Sequence, residues 1–378
     1  MINRAFCTVT ILSLLLLFSC NSDNEIKAFH TDGDNLYASH FIITKGEDGN
    51  NYLTVSDKWS SNSNKSVYLL KSSENHIDVS KEITIINVPL KRVVCMSTSH
   101  ISFIDAIGEA GAISAISGGQ FISNPEISEK LKNGIIKDIG FESSINFDML
   151  LKLNLDMVFT YGISGENNLY IQKIKDLGIN VIVVGDYMEE HPLGKLEYLK
   201  LFGALFGKSS VADSIFNYKK ERYIEISSKV INRENRPFVL LNAPWKDVWY
   251  IPGENNYMSH LIRDAGGEVI MARTGESVSF AYSLEEVINN AYKADYWLNP
   301  NFYNSVTDLE KVNPLFSKLP VFKSGNIYNN TKKDTPGGGS DFWETGVTEP
   351  DIILEDLIKI LNPEVSGNRE LAYYRKLM

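Results

Sequence analysis

The chain has 378 residues, 43% of them hydrophobic, and sets 37 basic side chains against 47 acidic ones for a net charge of −10. That acidic balance argues against nucleic acid as a partner. Only three cysteines are present, too few for a disulfide framework, so stability has to come from burial, and the length suits two domain-sized cores with a smaller appendage.

The chain opens with Arg4 and the apolar run Val9–Phe18, which is too short to span a membrane and turns polar at Asn21. A secretory signal is predicted over residues 1–19. Leu17-Phe18-Ser19-Cys20 resembles the lipobox of bacterial lipoproteins, and the resemblance implies acylation of Cys20. The protein would then be lipid-anchored in the periplasm or at the cell surface. Cys7 would leave with the signal and Cys95 alone would stay free.

Residues 20–86 read as a tether followed by a small β-meander, with β-type runs at Phe41–Ile43, Tyr52–Val55 and Val67–Leu70. Strand and helix then alternate over 87–190. Strands are expected at Val93–Met96, Ala112–Ile116, Asp156–Phe159 and Val181–Val184, with helices at Ile101–Glu109, Phe147–Leu153 and Ile171–Leu177. That alternation is the unit of a parallel sheet and defines an N-terminal α/β lobe. Over 191–235 apolar residues recur at helical spacing, interrupted by Gly203 and Gly207. The stretch from Ser210 to Val230 predicts one helix of about 30 Å that connects two lobes. Alternation resumes at Phe238–Leu241 in a C-terminal lobe over 236–363, and 364–378 reads as a tail.

The second lobe echoes the first. Ile104–Ile113 and Leu261–Ile270 both run helix, glycine, strand, and Asn146-Phe147-Asp148 and Ser283-Leu284-Glu285 both place a capping residue, an apolar residue and an acid before a helix and an Asp-led strand. The fold class is therefore α/β, with two similar lobes built on parallel sheets, joined by one long helix and preceded by a small β-rich extension.

With the opening run Lys91–Ser97, the segment Asn146–Phe159, the connecting helix and the closing runs Asp341–Glu344 and Pro350–Leu354, the chain resembles the substrate-binding lipoproteins of ABC importers. The class in question captures cobalamin, iron-siderophore complexes and haem. The resemblance implies a ligand held between the lobes, delivery to an inner-membrane permease, and docking of one acid per lobe into the permease. Those acids fall on Asp148 and Glu285. The first departs from the family's usual glutamate, and both also suit the first turn of a helix electrostatically, Ser283 with Glu286 forming a capping box.

Ligands of parallel α/β sheets bind beyond the carboxyl ends of the strands. The loops there offer His100, Gln120, Phe121, Phe141, Tyr161, Trp245, Trp249, Tyr282 and Trp343, large flat surfaces rather than a catalytic set. Tyr250, Phe302 and Tyr303 belong to the same group, whereas Trp297 lies inside a strand and reads as core. Trp245–Tyr250 can either face the cleft or pack as a hairpin on its lobe. The glycine-rich stretch Thr331–Asp341 lacks the Lys-Ser/Thr ending of a phosphate loop and reads as a cleft rim. By resemblance Asp341 contacts ligand, although it is equally placed to cap the following helix. Arg273, Lys332 and Lys333 could answer an anionic group if they face the cleft.

The six histidines show no paired spacing, so a bare-ion site and a resident cofactor are not expected. Ser99 beside His100 is the nearest approach to a hydrolase site, but no nucleophile-elbow glycines surround it, and the chain reads as a monomeric binding protein rather than an enzyme. A surface lipoprotein that serves an outer-membrane transporter is the alternative to periplasmic capture.

Overall fold

The computed structural model describes residues 35–378 apart from 58–63, 73–79, 81, 142–143, 163–166 and 366. The predicted signal, the lipobox and Cys20 lie outside the described residues.

The extension is a four-stranded sheet in the order β1 (Phe41–Lys45), β2 (Asn51–Asp57), β3 (Asn64–Lys71), β4 (Ile83–Asn87). The first three strands form the expected antiparallel meander, but β4 pairs parallel with β3. Leu53 and Val55 on β2, and Tyr68 and Leu70 on β3, alternate onto one face and join the main core, while the Tyr68 hydroxyl donates to Val181 O at 3.0 Å. The extension is thereby built onto the N-terminal lobe.

That lobe is an all-parallel sheet in the order β7 (Lys137–Asp138), β6 (Ile113–Ile116), β5 (Val93–Cys95), β8 (Met157–Thr160), β9 (Val181–Val183). Helices α1 (Thr98–Ala106), α2 (Pro125–Lys132), α3 (Phe147–Lys152) and α4 (Asn167–Asp176) connect the strands. Val93, Val94 and Cys95 are all buried, as are Met157, Val158 and Phe159. Such unbroken apolar runs mark strands covered on both faces.

The connecting region holds two helices, α5 (Pro192–Leu205) and α6 (Ser209–Ser228), which break at Gly207, where φ is +67°. The first is buried over most of its circumference. The second is the predicted 30 Å connector.

The C-terminal sheet runs β12 (Glu268–Val269), β10 (Phe238–Leu241), β14 (Tyr296–Leu298), β15 (Ile327–Asn329), β16 (Arg375–Lys376). A hairpin of β11 (Val248–Pro252) and β13 (Ser279–Ser283) stands beside it, with helices α7 (Tyr257–Asp264), α8 (Leu284–Ala291), α9 (Val306–Val312), α10 (Pro320–Ser324) and α11 (Pro350–Leu361). The order β6-β5-β8-β9 in one lobe matches β12-β10-β14-β15 in the other, so the echo seen in the sequence is an echo of topology. The paired glycines do the same task, ending α1 and α7 at Gly108 (φ +79°) and Gly266 (φ +80°).

Residues 364–378 are not a loose tail. Strand β16 closes the sheet edge antiparallel to β15, Tyr373 and Tyr374 are fully buried, and the N–H groups of Ala372, Tyr373 and Tyr374 all donate to the buried Asp356 carboxylate. Helix α11 crosses back onto α6, where Asp351 and Glu355 face Lys219 and Arg222.

Candidate functional site

On the N-terminal lobe, the loop after β6 presents Gln120 and Phe121. The Phe121 ring meets Phe141 edge-on at 5.4 Å, both half-buried, and Gln120 is exposed. Tyr161 follows β8 and is half-buried; Tyr187 follows β9 and is exposed. On the C-terminal lobe, Trp245 and Phe302 follow β10 and β14, stand 58% and 63% exposed, and meet edge-on at 6.4 Å. Two aromatic faces thus sit at the carboxyl ends of the two sheets.

A set of asparagines holds the C-terminal loops in place. Asn242, Asn299 and Asn301 take positive φ, which Asn tolerates better than most residues. Asn242 Nδ2 donates to Tyr250 O, Asn301 Nδ2 to Ala243 O, and Asn329 Nδ2 to both Asn301 O and Tyr303 O. Sequence reading passed over these residues, although each follows or ends a strand as an Asn-Ala-Pro, Asn-Pro-Asn or Asn-Asn signal.

Three expected ligand contacts are turned away from the cleft. His100 is fully buried on α1 with Phe159 and Phe202 each 6.3 Å from its ring, and burial pushes its pKa down to about 3. Its apolar helix face, not the preceding turn, decides where it points. Trp249 is fully buried against Trp297 and Phe316 and donates from Nε1 to Leu241 O, which is the hairpin alternative. Trp245, at the mouth of the same hairpin, is the tryptophan that faces out. Asp341 is spent internally: it accepts from Thr345 Oγ1 at 2.6 Å and pairs with Lys333 at 3.2 Å.

Tyr282 is half-buried on β13, where its hydroxyl donates to Met271 O and accepts from Arg273 Nε. Asp148 and Glu285 are exposed in the first turns of α3 and α8, which precede the matched strands β8 and β14. Asn146 and Ser283 cap these helices by accepting from Met149 N and Glu286 N.

The lobes are bridged at the glycine-rich stretch. A Cβ at Gly337 would stand 2.2 Å from Gln120 O, and one at Gly339 only 1.9 Å from Phe121 O, so glycine lets this loop lie directly on the backbone of the opposite lobe. Just beyond it, the buried Glu344 carboxylate accepts from Ser123 N and Asn124 N, both at 2.7 Å. Trp343, 42% exposed, meets Tyr257 at a tilt with ring centroids 5.9 Å apart, and the Lys195 ammonium of α5 lies over both rings. Asp186 is buried close by, after β9. Sequence reading missed Lys195 and Asp186, since a lysine in an apolar helix carries no motif.

Among the described residues no group of three or more His, Cys, Asp or Glu side chains is placed to hold a metal ion. Ser99 Oγ shares a hydrogen bond with Ser97 Oγ, and with the His100 ring enclosed by aromatics the pair makes no nucleophile and base.

The two-lobed arrangement recurs in solved structures. A periplasmic haem-binding protein from Pseudomonas aeruginosa superposes with a TM-score of 0.57 at 15% identity, covering 76% of this chain and 98% of that one. This chain has the fold of the periplasmic solute-binding proteins. The same binding-protein fold is seen in the triscatecholate siderophore-binding protein FeuA of Bacillus subtilis, solved with ferri-bacillibactin (TM-score 0.54, 18% identity, 74% and 94% covered). In sequence, an uncharacterized lipoprotein of Methanocaldococcus jannaschii is 26% identical over 325 residues, 82% of this chain and 75% of the relative. No family model matches the chain.

Proposed function

We propose that this chain is the capture component of an import system, binding an iron chelate or a corrinoid between its lobes and handing it to a membrane permease. The observation that carries this reading is the pair of aromatic faces, Phe121 with Phe141 and Trp245 with Phe302, at the carboxyl ends of the two sheets. Broad flat side chains at low conformational cost suit a large, rigid, partly apolar ligand. Gln120, Tyr161, Tyr282 and Trp343 complete the site. That solved structures with this fold include a haem-binding and a siderophore-binding protein supports the reading.

Attachment through Cys20 fits the lipoprotein relative, and no described helix is long and apolar enough to cross a membrane. Tethering confines the carrier near its partner and raises its effective concentration there. Exposed acids at equivalent places on the two lobes, Asp148 and Glu285, supply the permease contacts.

Titration of the purified chain with haemin, cyanocobalamin and ferri-bacillibactin, followed by tryptophan fluorescence, tests the reading. Binding of at least one below about 10 µM, near −7 kcal/mol, is expected; failure of all three refutes capture. Replacing Asp148 and Glu285 together by Ala should leave binding intact and reduce uptake in cells, and unchanged uptake removes the docking assignment.

A further inference from the structure

The aromatic pair on the N-terminal lobe is built around a carboxylate that belongs to neither ring's own loop. Asp138 ends β7, in parallel register with Ile116 of β6. Its Oδ1 accepts from Gly140 N at 2.9 Å and its Oδ2 from Gly119 N at 2.8 Å. The first bond reaches two residues along the chain and is an ordinary turn. The second reaches back 19 residues, and so ties the loop after β6, which carries Phe121, to the loop after β7, which carries Phe141.

Glycines make this tie possible. A Cβ on Gly119 would stand 2.8 Å from Asp138 Oδ2 and 2.5 Å from Leu131 Cδ2. One on Gly118, where φ is +72°, would meet Phe121 Cδ2 at 2.9 Å and Phe141 Cδ2 at 3.2 Å, so both rings lie directly over that backbone.

Other bonds fix each loop separately. Phe121 N donates to Gly118 O at 3.0 Å, Ser117 Oγ to Gly140 O at 2.7 Å, and Phe141 N to Ser144 Oγ at 3.0 Å. Beyond Phe121, Glu344 takes the N–H groups of Ser123 and Asn124, so the first loop is held at both ends. Asp138 adds a carboxylate link between the two loops, the counterpart of what Asn301 and Asn329 do on the other lobe. A bond from an N–H to a charged carboxylate is stronger than a neutral one. Loops fixed before binding also give up less conformational freedom when a ligand settles on them.

We propose that Asp138 is the positioning residue of this wall of the cleft: its carboxylate fixes Phe121 and Phe141 edge-on at 5.4 Å, the arrangement against which a ligand lies. The inference rests on the capture reading, which supplies the ligand, and assigns the residue that organises one of its two aromatic faces.

Asp138→Asn keeps the size of the side chain but offers one acceptor oxygen to two N–H groups. Asp138 is exposed, so the change opens no cavity. The test is a double-mutant cycle on the full chain, with haemin, cyanocobalamin and ferri-bacillibactin as probes and the tightest binder of the three followed. Asp138→Asn should weaken that probe by about fivefold or more in the parent, but by no more than about twofold in the Phe121→Leu/Phe141→Leu background, where there is no pair to position. Equal weakening in both backgrounds overturns the inference and leaves capture intact, as does unchanged affinity of the folded variant or its failure to fold by circular dichroism. Amide hydrogen exchange gives a second reading in the parent background alone. Asp138→Asn should quicken exchange at Phe121 and Phe141, whose N–H groups bond to Gly118 O and Ser144 Oγ rather than to Asp138, and leave β5 unchanged. If the leucine background fails to fold or binds no probe, this pattern decides alone; exchange that rises throughout, or nowhere, overturns the inference. No binding of any probe to the parent removes capture and the inference together.

Discussion

Glu344 joins the lobes through a carboxylate that is only 1% exposed, and its stability effect can be worked from the structure. Burial raises its pKa, the N–H bonds from Ser123 and Asn124 pull it back, and nearby Asp341 and Asp105 raise it further; the outcome is a value pushed up from 4.5 to about 7. An acid whose pKa is raised by folding keeps its proton longer in the folded state than in the unfolded one. The folded protein therefore binds more protons between these two values, and its stability falls as pH rises through that window. At about 1.4 kcal/mol per pH unit the loss amounts to ~3 kcal/mol, complete above the folded value and absent below the unfolded one. Glu344→Gln removes the titration. Urea unfolding of both proteins at constant ionic strength, from about pH 5 to about pH 8, should show the variant gaining on the parent by most of that ~3 kcal/mol. Parallel stability curves, separated by the same amount at every pH, would refute the reasoning.

Trp249→Ala should cost ~3–5 kcal/mol in denaturant unfolding, the expense of a cavity beside Trp297 and Phe316, while Trp245→Ala should stay within about 0.5 kcal/mol of the parent yet weaken ligand binding. Equal effects of the two on stability would contradict the assignment of one to core and the other to cleft. Gly339→Ala should displace the loop from Phe121 O and lower stability by ~1–3 kcal/mol, read as a thermal midpoint; an unchanged midpoint would show that the close approach is dispensable. Glu197, fully buried, accepts from the N–H groups of Leu36, Tyr37 and Ala38 and from Lys200 Nζ. Glu197→Ala should lower stability by at least about 2 kcal/mol and speed proteolysis before Phe41, and unaltered proteolysis would place the hold on this segment elsewhere.

Local pattern alone identified the elements that repeat. The apolar runs Val93–Cys95 and Phe238–Leu241 are strands because both faces of a parallel sheet are covered. The caps at Asn146 and Ser283 act within three residues and need no tertiary context. The cleft was legible only as a set of loops. Which side chains enter it depends on directions that sequence spacing does not carry: Trp245 and Trp249 lie four apart in one aromatic run, and strand pairing with β13 sends the second inward while the turn leaves the first outside.

The sequence by itself determined two α/β lobes, a helical connector, an acid at the same place in each lobe, and aromatic loops after the strands, because periodicity, capping and strand-end position are local properties. Only the tertiary structure decided that His100 belongs to the core, that Gly337 and Gly339 press on the other lobe, that the final residues close a sheet edge, and that Lys195 lies over Tyr257 and Trp343. Those facts arise from contacts between segments far apart in the chain, where burial, rather than residue type, sets what a side chain can do.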